Sequence, residues 1–439
     1  MAEIHFEEWK EQEAEAFQTF QSNEDRAFMN YLKVWRWYQE ERSPDIYSKP
    51  KPAIQPIKKP FLSETVKPLV QALPTVVPLV YAVGSKCIEV EFFGDILNFS
   101  YPETMNKSLG KASIQAISDF WREVTHENYR MLVQRIKHYQ KVYQLNGWGI
   151  YLLIERISQQ LTKEGNKERL LQWFLLLKMN IDAKVGISQG EVVLMVHSQH
   201  LIHATRYFRL DQKRYFVLDS SLPTDKLQIY KGGSYNLLAL DFMKQPLFQK
   251  NIKKRNIEFT FKSRGYKLSF YYNKNLTDFY KTYPQIPYNH YTTMNLSSQS
   301  IEVFNKILKP IVQQMNQVDS INFLLRLTQN GFKYKRDHAQ FGKEKVMFFE
   351  ESLAYVYNDC EDRAIFFTHL IKMLLQNEII LIQFPNHLAT AIAIDSNVQG
   401  ESVLYKGKKF YIADPTYSGS NIGQAMPQLQ GQKIKIIKP

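Results

Sequence analysis

The chain has 439 residues, and 44% of them are hydrophobic, which is enough to build packed cores in about two to four domains. Its net charge of +13 comes from Lys and Arg scattered along the whole length, so the concentrated basic stripe typical of nucleic-acid-binding proteins is missing. No stretch approaches the roughly 20 apolar residues of a transmembrane helix. We therefore expect a multidomain α+β protein with no nucleic-acid partner and no transmembrane segment.

Residues 1–45 are predicted to form one charged and aromatic helix, because large apolar residues recur near helical spacing. Such a helix can pack on the body, form a coiled coil or rest on a membrane surface, and packing on the body is the simplest expectation. Residues 46–62 are rich in Pro and Lys and predict an extended linker.

The first residues are acidic and polar and show no signal peptide. We expect a cytoplasmic protein, or a periplasmic or cell-envelope protein if a signal peptide has been removed.

Residues 63–112 predict a β-rich segment, since alternating strand patterns there are separated by glycine turns. Cys87 lies in one of these patterns and is expected to be a small core residue. The second cysteine, Cys360, lies in a different segment, so the chain has no disulfide framework. Residues 113–222 predict a module of helices followed by strands.

Three histidines of this module, His197, His200 and His203, lie close in sequence. No carboxylate or Cys stands beside them at ligand spacing, so a metal site is not predicted. Residues 223–293 predict a β-rich domain with a hairpin whose turn lies at 263–265. Nothing in that domain has catalytic spacing, and we expect it to orient the modules on either side or to bind a partner.

The pattern richest in chemistry lies near the C-terminus. Asp359 is a natural N-cap for a helix beginning at Cys360, whose apolar residues recur every three or four positions. In the first turn the free backbone N–H groups and the helix dipole favour a thiolate, whereas Asp359, Glu361 and Asp362 oppose it. A thiolate there needs an imidazolium partner, and His387 is the candidate.

His387 opens one predicted strand, and Asp414 ends the next. If these strands pair antiparallel, Asp414 lies within reach of the imidazole and fixes its tautomer. Cys360, His387 and Asp414 then supply a thiol nucleophile, its base and the group that orients the base. The alternative is a buried structural Cys, a surface His and a turn Asp.

Three blocks, 359–364, 386–391 and 407–416, resemble the motif blocks of the bacterial transglutaminase-like superfamily, which includes transglutaminase-like cysteine proteinases. The resemblance extends from about residue 331 to the C-terminus. It implies a papain-like core inside a catalytic domain that we place at 294–439.

The resemblance further implies that Cys360 is the nucleophile, His387 the general base and Asp414 the orienting acid. It does not imply a substrate, because members include proteases, amidases, transamidases and inactive relatives. One position departs from the pattern, since Asn386 stands where many relatives carry Gly.

Two further roles are open around the nucleophile. Gln340 can donate a side-chain N–H to an oxyanion alongside the backbone N–H of Cys360, or it can be an exposed loop residue. Asp359, Glu361 and Asp362 offer the carboxylates that calcium prefers, as in some periplasmic relatives, although a charge cluster at a helix N-terminus is the simpler interpretation. No other cofactor or metal is predicted.

The middle module resembles a degenerate copy of the catalytic domain. Residues 166–179 align without gaps with 360–373, and 214–220 resemble 409–415. This copy carries Asn166 at the nucleophile position, and since a carboxamide cannot replace a thiolate, we expect it to be inert. Convergent helix–strand patterning is the alternative.

The favoured function is hydrolysis of a peptide or amide bond through a thioester at Cys360, acting on a protein or peptide that belongs to the cell envelope if the enzyme is exported. Transamidation of proteins is one alternative. A non-catalytic binding scaffold built from transglutaminase-like modules is the other.

Overall fold

The protein is an α+β chain with two helix-and-sheet units joined by a connecting segment. Its computed structural model describes residues 35–44, 63–64, 85–106, 108–198, 200–222, 224, 226–230, 232–233, 235–241, 244–396 and 398–438. The predicted linker, 46–62, lies outside the described residues. Among the described helices, none combines the length and the apolar character that crossing a membrane requires.

Five strands precede the first helix in the described part of the chain. They are β1 (Trp35–Gln39), β2 (Glu41–Arg42), β3 (Ser63–Glu64), β4 (Ser85–Phe92) and β5 (Asp95–Pro102), and a 3-10 turn follows at Glu103–Asn106. Strands β4 and β5 form an antiparallel hairpin. Cys87 of β4 is exposed, so its predicted place in the core is wrong. The two-stranded hairpin leaves one face of β4 uncovered, and Cys87 falls on that face.

We call residues 114–230 the middle unit. Its helices are α1 (Ile114–His126), α2 (Arg130–Val142), α3 (Gly147–Leu161) and α4 (Gly165–Lys178). Its strands are β6 (Ala183–Ser188), β7 (Glu191–His197), β8 (Arg206–Leu210), β9 (Lys213–Val217) and β10 (Lys226–Tyr230). With β1 and β2 they form a seven-stranded antiparallel sheet in the order β1-β10-β6-β7-β9-β8-β2.

The helix predicted over residues 1–45 is wrong where the structure describes it, because Trp35–Gln39 and Glu41–Arg42 are the two edge strands of this sheet. Aromatic residues favour strands as well as apolar helix faces. The sheet edges supply backbone partners from 206–207 and 226–230, which local periodicity cannot reveal. Residues 1–34 of that prediction lie outside the described residues.

The connecting segment contains β11 (Ile252–Phe261), β12 (Arg264–Asn273), α5 (Lys274–Lys281) and α6 (Tyr288–Thr293). The predicted hairpin is confirmed, with its turn one residue earlier, at Lys262 and Ser263, which both have positive φ. Within the predicted β-rich domain at 223–293, the hairpin packs on the carboxy-terminal unit. Phe270 of β12 stacks on Phe304 at 4.4 Å, because the hairpin needs a helical layer to cover its apolar face.

We call residues 298–438 the carboxy-terminal unit. Its helices are α7 (Ser298–Val312), α8 (Gln317–Gly331), α9 (Asp337–Phe341), α10 (Phe349–Ala354) and α11 (Cys360–Leu374). Its strands are β13 (Ile379–Phe384), β14 (His387–Ile392), β15 (Ser402–Tyr405), β16 (Lys408–Ala413) and β17 (Lys435–Ile437), with a 3-10 turn at Pro427–Leu429. They form an antiparallel sheet in the order β15-β16-β14-β13-β17, and α11 packs on β14.

The carboxy-terminal unit and the connecting segment share an aromatic junction. Phe348, just before α10, stacks on Tyr280 of α5 at 4.5 Å and lies 4.7 Å from Tyr291 of α6. His369 of α11 is hydrogen bonded through Nε2 to the Tyr291 carbonyl at 2.8 Å. Helix α11, which begins at Cys360, is therefore held by the connecting segment as well as by its own sheet.

The two units also share a topology. In the middle unit, α4 is followed by strands in the spatial order β6-β7-β9-β8, and in the carboxy-terminal unit α11 is followed by β13-β14-β16-β15. Each helix packs on the first two strands of its set. This shared order supports the interpretation of the middle unit as a copy of the other.

Candidate active site

Cys360 lies in the first turn of α11, where the sequence places it. Asp359 is the N-cap in extended conformation, and the Asp362 side chain accepts a hydrogen bond from the Asp359 N–H at 3.3 Å, which completes a capping box. Cys360 exposes only 1% of its surface. Its thiol lies at the positive end of the helix dipole.

His387 and Asp414 meet because of strand register. His387 pairs with Phe384 at the end of the β13–β14 hairpin, whose turn is Pro385 and Asn386. Extending the β14–β16 register by one pair places Asp414 on the same face as His387, one diagonal away. His387 Nε2 donates to Asp414 Oδ2 at 2.8 Å.

The Asp414 carboxylate is held from its other side. Its Oδ1 accepts the backbone N–H of Thr416 at 2.9 Å and of Tyr417 at 3.3 Å, while buried Gln329 donates to the Asp414 carbonyl at 3.1 Å. The oxygen facing His387 is thus fixed in place. A proton is kept on Nε2, which leaves Nδ1 for the thiol.

The imidazole also contacts Cys360. Burial by itself lowers the pKa of His387, but the charge and hydrogen bond of Asp414, together with a hydrogen bond to Cys360 and its charge, raise that pKa to about 10. His387 is therefore an imidazolium at neutral pH. The sequence called for such a partner to the thiol, and the fold brings Cys360, His387 and Asp414 together.

A buried guanidinium adds positive charge that the sequence reasoning did not consider. Arg363, one turn after Cys360, donates to the Phe332 carbonyl at 2.8 Å and to the Gln329 carbonyl at 3.3 Å. Burial lowers its pKa to about 10, against the opposing charges of Cys360, Asp359 and Asp362, so it stays charged at neutral pH. The i, i+3 helical spacing was the available signal.

The predicted acidic cluster is divided by the fold. Asp362 serves as a cap, since it also accepts the Met347 N–H at 2.8 Å. Asp359 and Glu361 lie instead with Asp337 of α9, and carboxylate oxygens of these three buried residues lie within 4.8 Å of one another. The predicted calcium-binding set of Asp359, Glu361 and Asp362 is therefore wrong, because Asp337 and not Asp362 lies with the other two. Asp337 lies on a separate helix, so the sequence spacing could not reveal it.

Glu361 has a second contact. Its Oε2 accepts a hydrogen bond from the Cys360 thiol at 3.3 Å. The thiol therefore contacts both Glu361 and His387, and His387 is the one held in place by its bond to Asp414.

Gln340 does not lie where the oxyanion role requires. It is half-buried in α9, its backbone N–H bonds to the Arg336 carbonyl at 3.2 Å, and it does not line the pocket of Cys360. Its role as an oxyanion donor is therefore not supported. Elsewhere on α9, Asp337 accepts the backbone N–H of Lys345 at 2.9 Å.

The Cys360 pocket is a small cavity of about 10 Å³ lined by the thiol, Tyr288, Glu361, and the β13–β14 hairpin end with Gln383 and His387. Such a volume holds about one water molecule. A substrate carbonyl reaches the thiol only when the wall of the pocket moves. Tyr288 belongs to α6 and has no sequence signal that links it to the nucleophile.

A larger groove adjoins this pocket. It encloses about 1050 Å³ and shares Tyr288, Gln383 and the turn residues Pro385 and Asn386 with the Cys360 pocket. The segment 433–438, which contains edge strand β17 and three lysines, lines one wall. The opposite side includes Leu201 and His203 of the middle unit, so both units shape the groove.

The middle unit carries a different set of side chains at the equivalent positions. Glu191 pairs with Ser188 at the end of its hairpin, so it occupies the position that His387 has in the other unit. When the β7–β9 register is extended, Asp219 occupies the position of Asp414. Asn166 donates to the Gly190 carbonyl at 3.0 Å and accepts the Val192 N–H at 2.8 Å, so it binds the backbone on both sides of Glu191.

Arg169 completes that set. It donates to Asn166 Oδ1 at 2.9 Å and forms an ion pair with Glu191. The thiol and the imidazole of the carboxy-terminal unit are replaced here by a carboxamide and a carboxylate, so this face holds the fold together and lacks the thiol that acyl transfer would need.

Comparison with known proteins gave no match to any family model, to any curated protein or to any solved structure.

Proposed function

We propose that the protein is a cysteine-dependent hydrolase of peptide or amide bonds, with a transglutaminase-like, papain-like core in its carboxy-terminal unit. One observation carries the proposal: buried His387 bonds to Asp414 at 2.8 Å through Nε2 and contacts the Cys360 thiol, which lies at the start of a helix. This is the arrangement that a thiolate–imidazolium pair needs.

The reaction proceeds in two stages. The Cys360 thiolate attacks the substrate carbonyl carbon, and the new C–S bond forms a tetrahedral oxyanion. His387 then gives its proton to the leaving amine nitrogen as the C–N bond breaks, which leaves a thioester. In the second stage neutral His387 takes a proton from water, the hydroxyl attacks the thioester carbonyl, and the carboxylic acid leaves as the thiolate re-forms.

Three features support this sequence of steps. Asp414 orients His387 and stabilises the imidazolium. The backbone N–H of Cys360 at the helix start is the proposed oxyanion donor, and Tyr288 and Gln383, which line the pocket, are proposed as further donors. Arg363 offsets the acidic residues around the thiolate.

The groove favours an extended polypeptide as substrate. Its volume of about 1050 Å³ accommodates several residues, and edge strand β17 and the turn 385–386 line it. Lys433, Lys435 and Lys438 on its wall favour acidic side chains in the bound segment. The net charge of +13 acts in the same direction.

The test is acyl-enzyme trapping followed by product analysis. The wild type and Cys360→Ala, each with Cys87→Ser, are incubated with an acidic peptide library, and intact mass is measured after a rapid quench. We expect a covalent acyl adduct and cleaved peptides in the wild type alone. Adding a primary amine separates the reactions, because amide products at the expense of acids would indicate transamidation. No adduct and no product in any condition would contradict catalysis and favour a binding scaffold.

A further inference from the structure

Three metal-ligating side chains from distant parts of the chain converge beside the junction of the two units. His200 follows β7, Asp241 follows β10, and His290 belongs to α6. His200 Nε2 lies 2.7 Å from Asp241 Oδ2, and His290 Nδ1 lies 3.0 Å from Asp241 Oδ1. The two imidazole rings are 3.8 Å apart between centroids.

The geometry is close to that of a metal site. One ligand atom from each residue lies within 4.8 Å of the other two. Tetrahedral zinc with bonds of about 2.1 Å places its ligand atoms about 3.4 Å apart. The nitrogen and oxygen atoms therefore need to separate by less than about 1 Å to admit an ion, a shift that side-chain rotation supplies.

The donor set also selects the type of ion. Two imidazoles with one carboxylate suit Zn²⁺ and its neighbours among the transition metals, whereas calcium and magnesium prefer oxygen ligands alone. Asp241 has half of its side-chain surface exposed, and both histidines are partly exposed, so an ion has a path from solvent.

We propose that His200, Asp241 and His290 bind one divalent transition metal ion, Zn²⁺ before the others, with water in the fourth position. The neighbouring His197 and His203 are not part of this cluster. His197 Nδ1 bonds to the Arg214 carbonyl at 3.0 Å and His203 Nδ1 to the Pro44 carbonyl at 3.4 Å. The site is independent of the hydrolase proposal.

Such an ion ties the two units together. His200 and Asp241 follow strands of the middle unit, while His290 lies on α6, whose first residue, Tyr288, lines the Cys360 pocket. The same helix bonds to α11 through the Tyr291 carbonyl. Metal binding therefore fixes α6 between the middle unit and the nucleophile helix.

The experiment measures zinc binding to the full chain by titration calorimetry after chelator treatment. All proteins carry Cys360→Ala and Cys87→Ser, so neither thiol can bind the ion. This parent protein is compared with Asp241→Asn and His290→Ala, and His126→Ala, an exposed histidine at the end of α1, is the matched control. We expect one equivalent bound by parent and control, and at least about 100-fold weaker binding when a direct ligand is lost.

Two further readouts keep the test independent of folding. Cobalt(II) should give visible absorption bands of four-coordinate geometry in parent and control, and these bands should vanish in Asp241→Asn. Zinc should raise the Tm of parent and control without raising that of Asp241→Asn, because only a native state with the site gains binding energy. Absence of stoichiometric binding in the parent, or equal binding in all variants, would overturn the proposal and leave a hydrogen-bonded cluster.

Discussion

Helix α4 of the middle unit and helix α11 of the carboxy-terminal unit lie at the same place on sheets of the same strand order, yet their first turns do different work. In α11 the first residue is a thiol that contacts an imidazole. In α4 the aligned residue, Asn166, satisfies two backbone groups of the neighbouring hairpin.

The difference shows what the topology provides and what it leaves to side chains. In both units, a helix N-terminus faces the end of a two-stranded hairpin, and this brings helix and hairpin residues together. Arg363 and Arg169 hold the same helical position, but Arg363 binds backbone carbonyls of its own unit while Arg169 pairs with Glu191. One scaffold can therefore place either a reactive pair or a structural clamp at this point.

The largest contrast is expected at the helix starts. Cys360→Ala should lower turnover by at least about 10³-fold, because it removes the thiol that forms the thioester in the proposed mechanism. Asn166→Ala should leave turnover within about twofold but lower the free energy of unfolding by about 1–3 kcal/mol, since two part-buried backbone groups lose a partner. Peptide hydrolysis and urea denaturation measure the two effects. Equal loss of activity in both variants would contradict the division of roles.

The next contrast compares the two aspartates. Asp414→Asn should reduce kcat by roughly 10²- to 10⁴-fold, because the amide presents N–H to the imidazole and reverses its tautomer. Asp219→Asn is the matched control in the middle unit and should leave kcat unchanged within about twofold. Steady-state kinetics on the same peptide measure kcat for both variants, and circular dichroism checks that each is folded. An equal loss of kcat in both would contradict the prediction.

The pH dependence of stability sharpens the comparison, because only the carboxy-terminal unit has an imidazole at this position. The pKa of His387 is about 10 in the folded protein and about 6.5 in the unfolded chain. Between about pH 6.5 and 10 the imidazole is therefore protonated in the native state and largely neutral in the unfolded chain. The contribution is full below pH 6.5 and is lost as pH rises through 10.

We therefore expect the free energy of unfolding of the wild type to fall by roughly 2–4 kcal/mol over this window. Asp414→Asn should remove most of that fall, because the partner that raises the pKa is gone. Denaturation curves from pH 6 to 10 measure it. A wild-type curve with the same slope as the variant would argue against the His387–Asp414 pair.

The smallest effects concern the walls of the Cys360 pocket. Tyr288→Phe and Gln383→Ala should each lower kcat about 10-fold, if their donors face the oxyanion as proposed. Gln340→Ala should change kcat less than about twofold, since Gln340 does not line the pocket. A larger effect at Gln340 than at Tyr288 would reinstate the prediction made from the sequence.

Local signals in the sequence determined much of the carboxy-terminal unit. Asp359 and the apolar spacing after it fixed the start of α11, because capping and helical periodicity act within a few residues. Strand patterns with a turn at 385–386 and another at 406–407 placed His387 at a strand start and Asp414 at a strand end. Antiparallel pairing of neighbouring strands then sufficed to predict that the two meet.

Tertiary structure decided the rest, since the partners are far apart in the chain and no local pattern joins them. Trp35–Gln39 forms a strand because its backbone pairs with β10, although its apolar residues recur at helical spacing. Asp337 took the place predicted for Asp362, which the capping box had already engaged. His200 found Asp241 and His290 only through the packing of α6 on the middle unit, a contact set by buried aromatic surface and not by spacing in sequence.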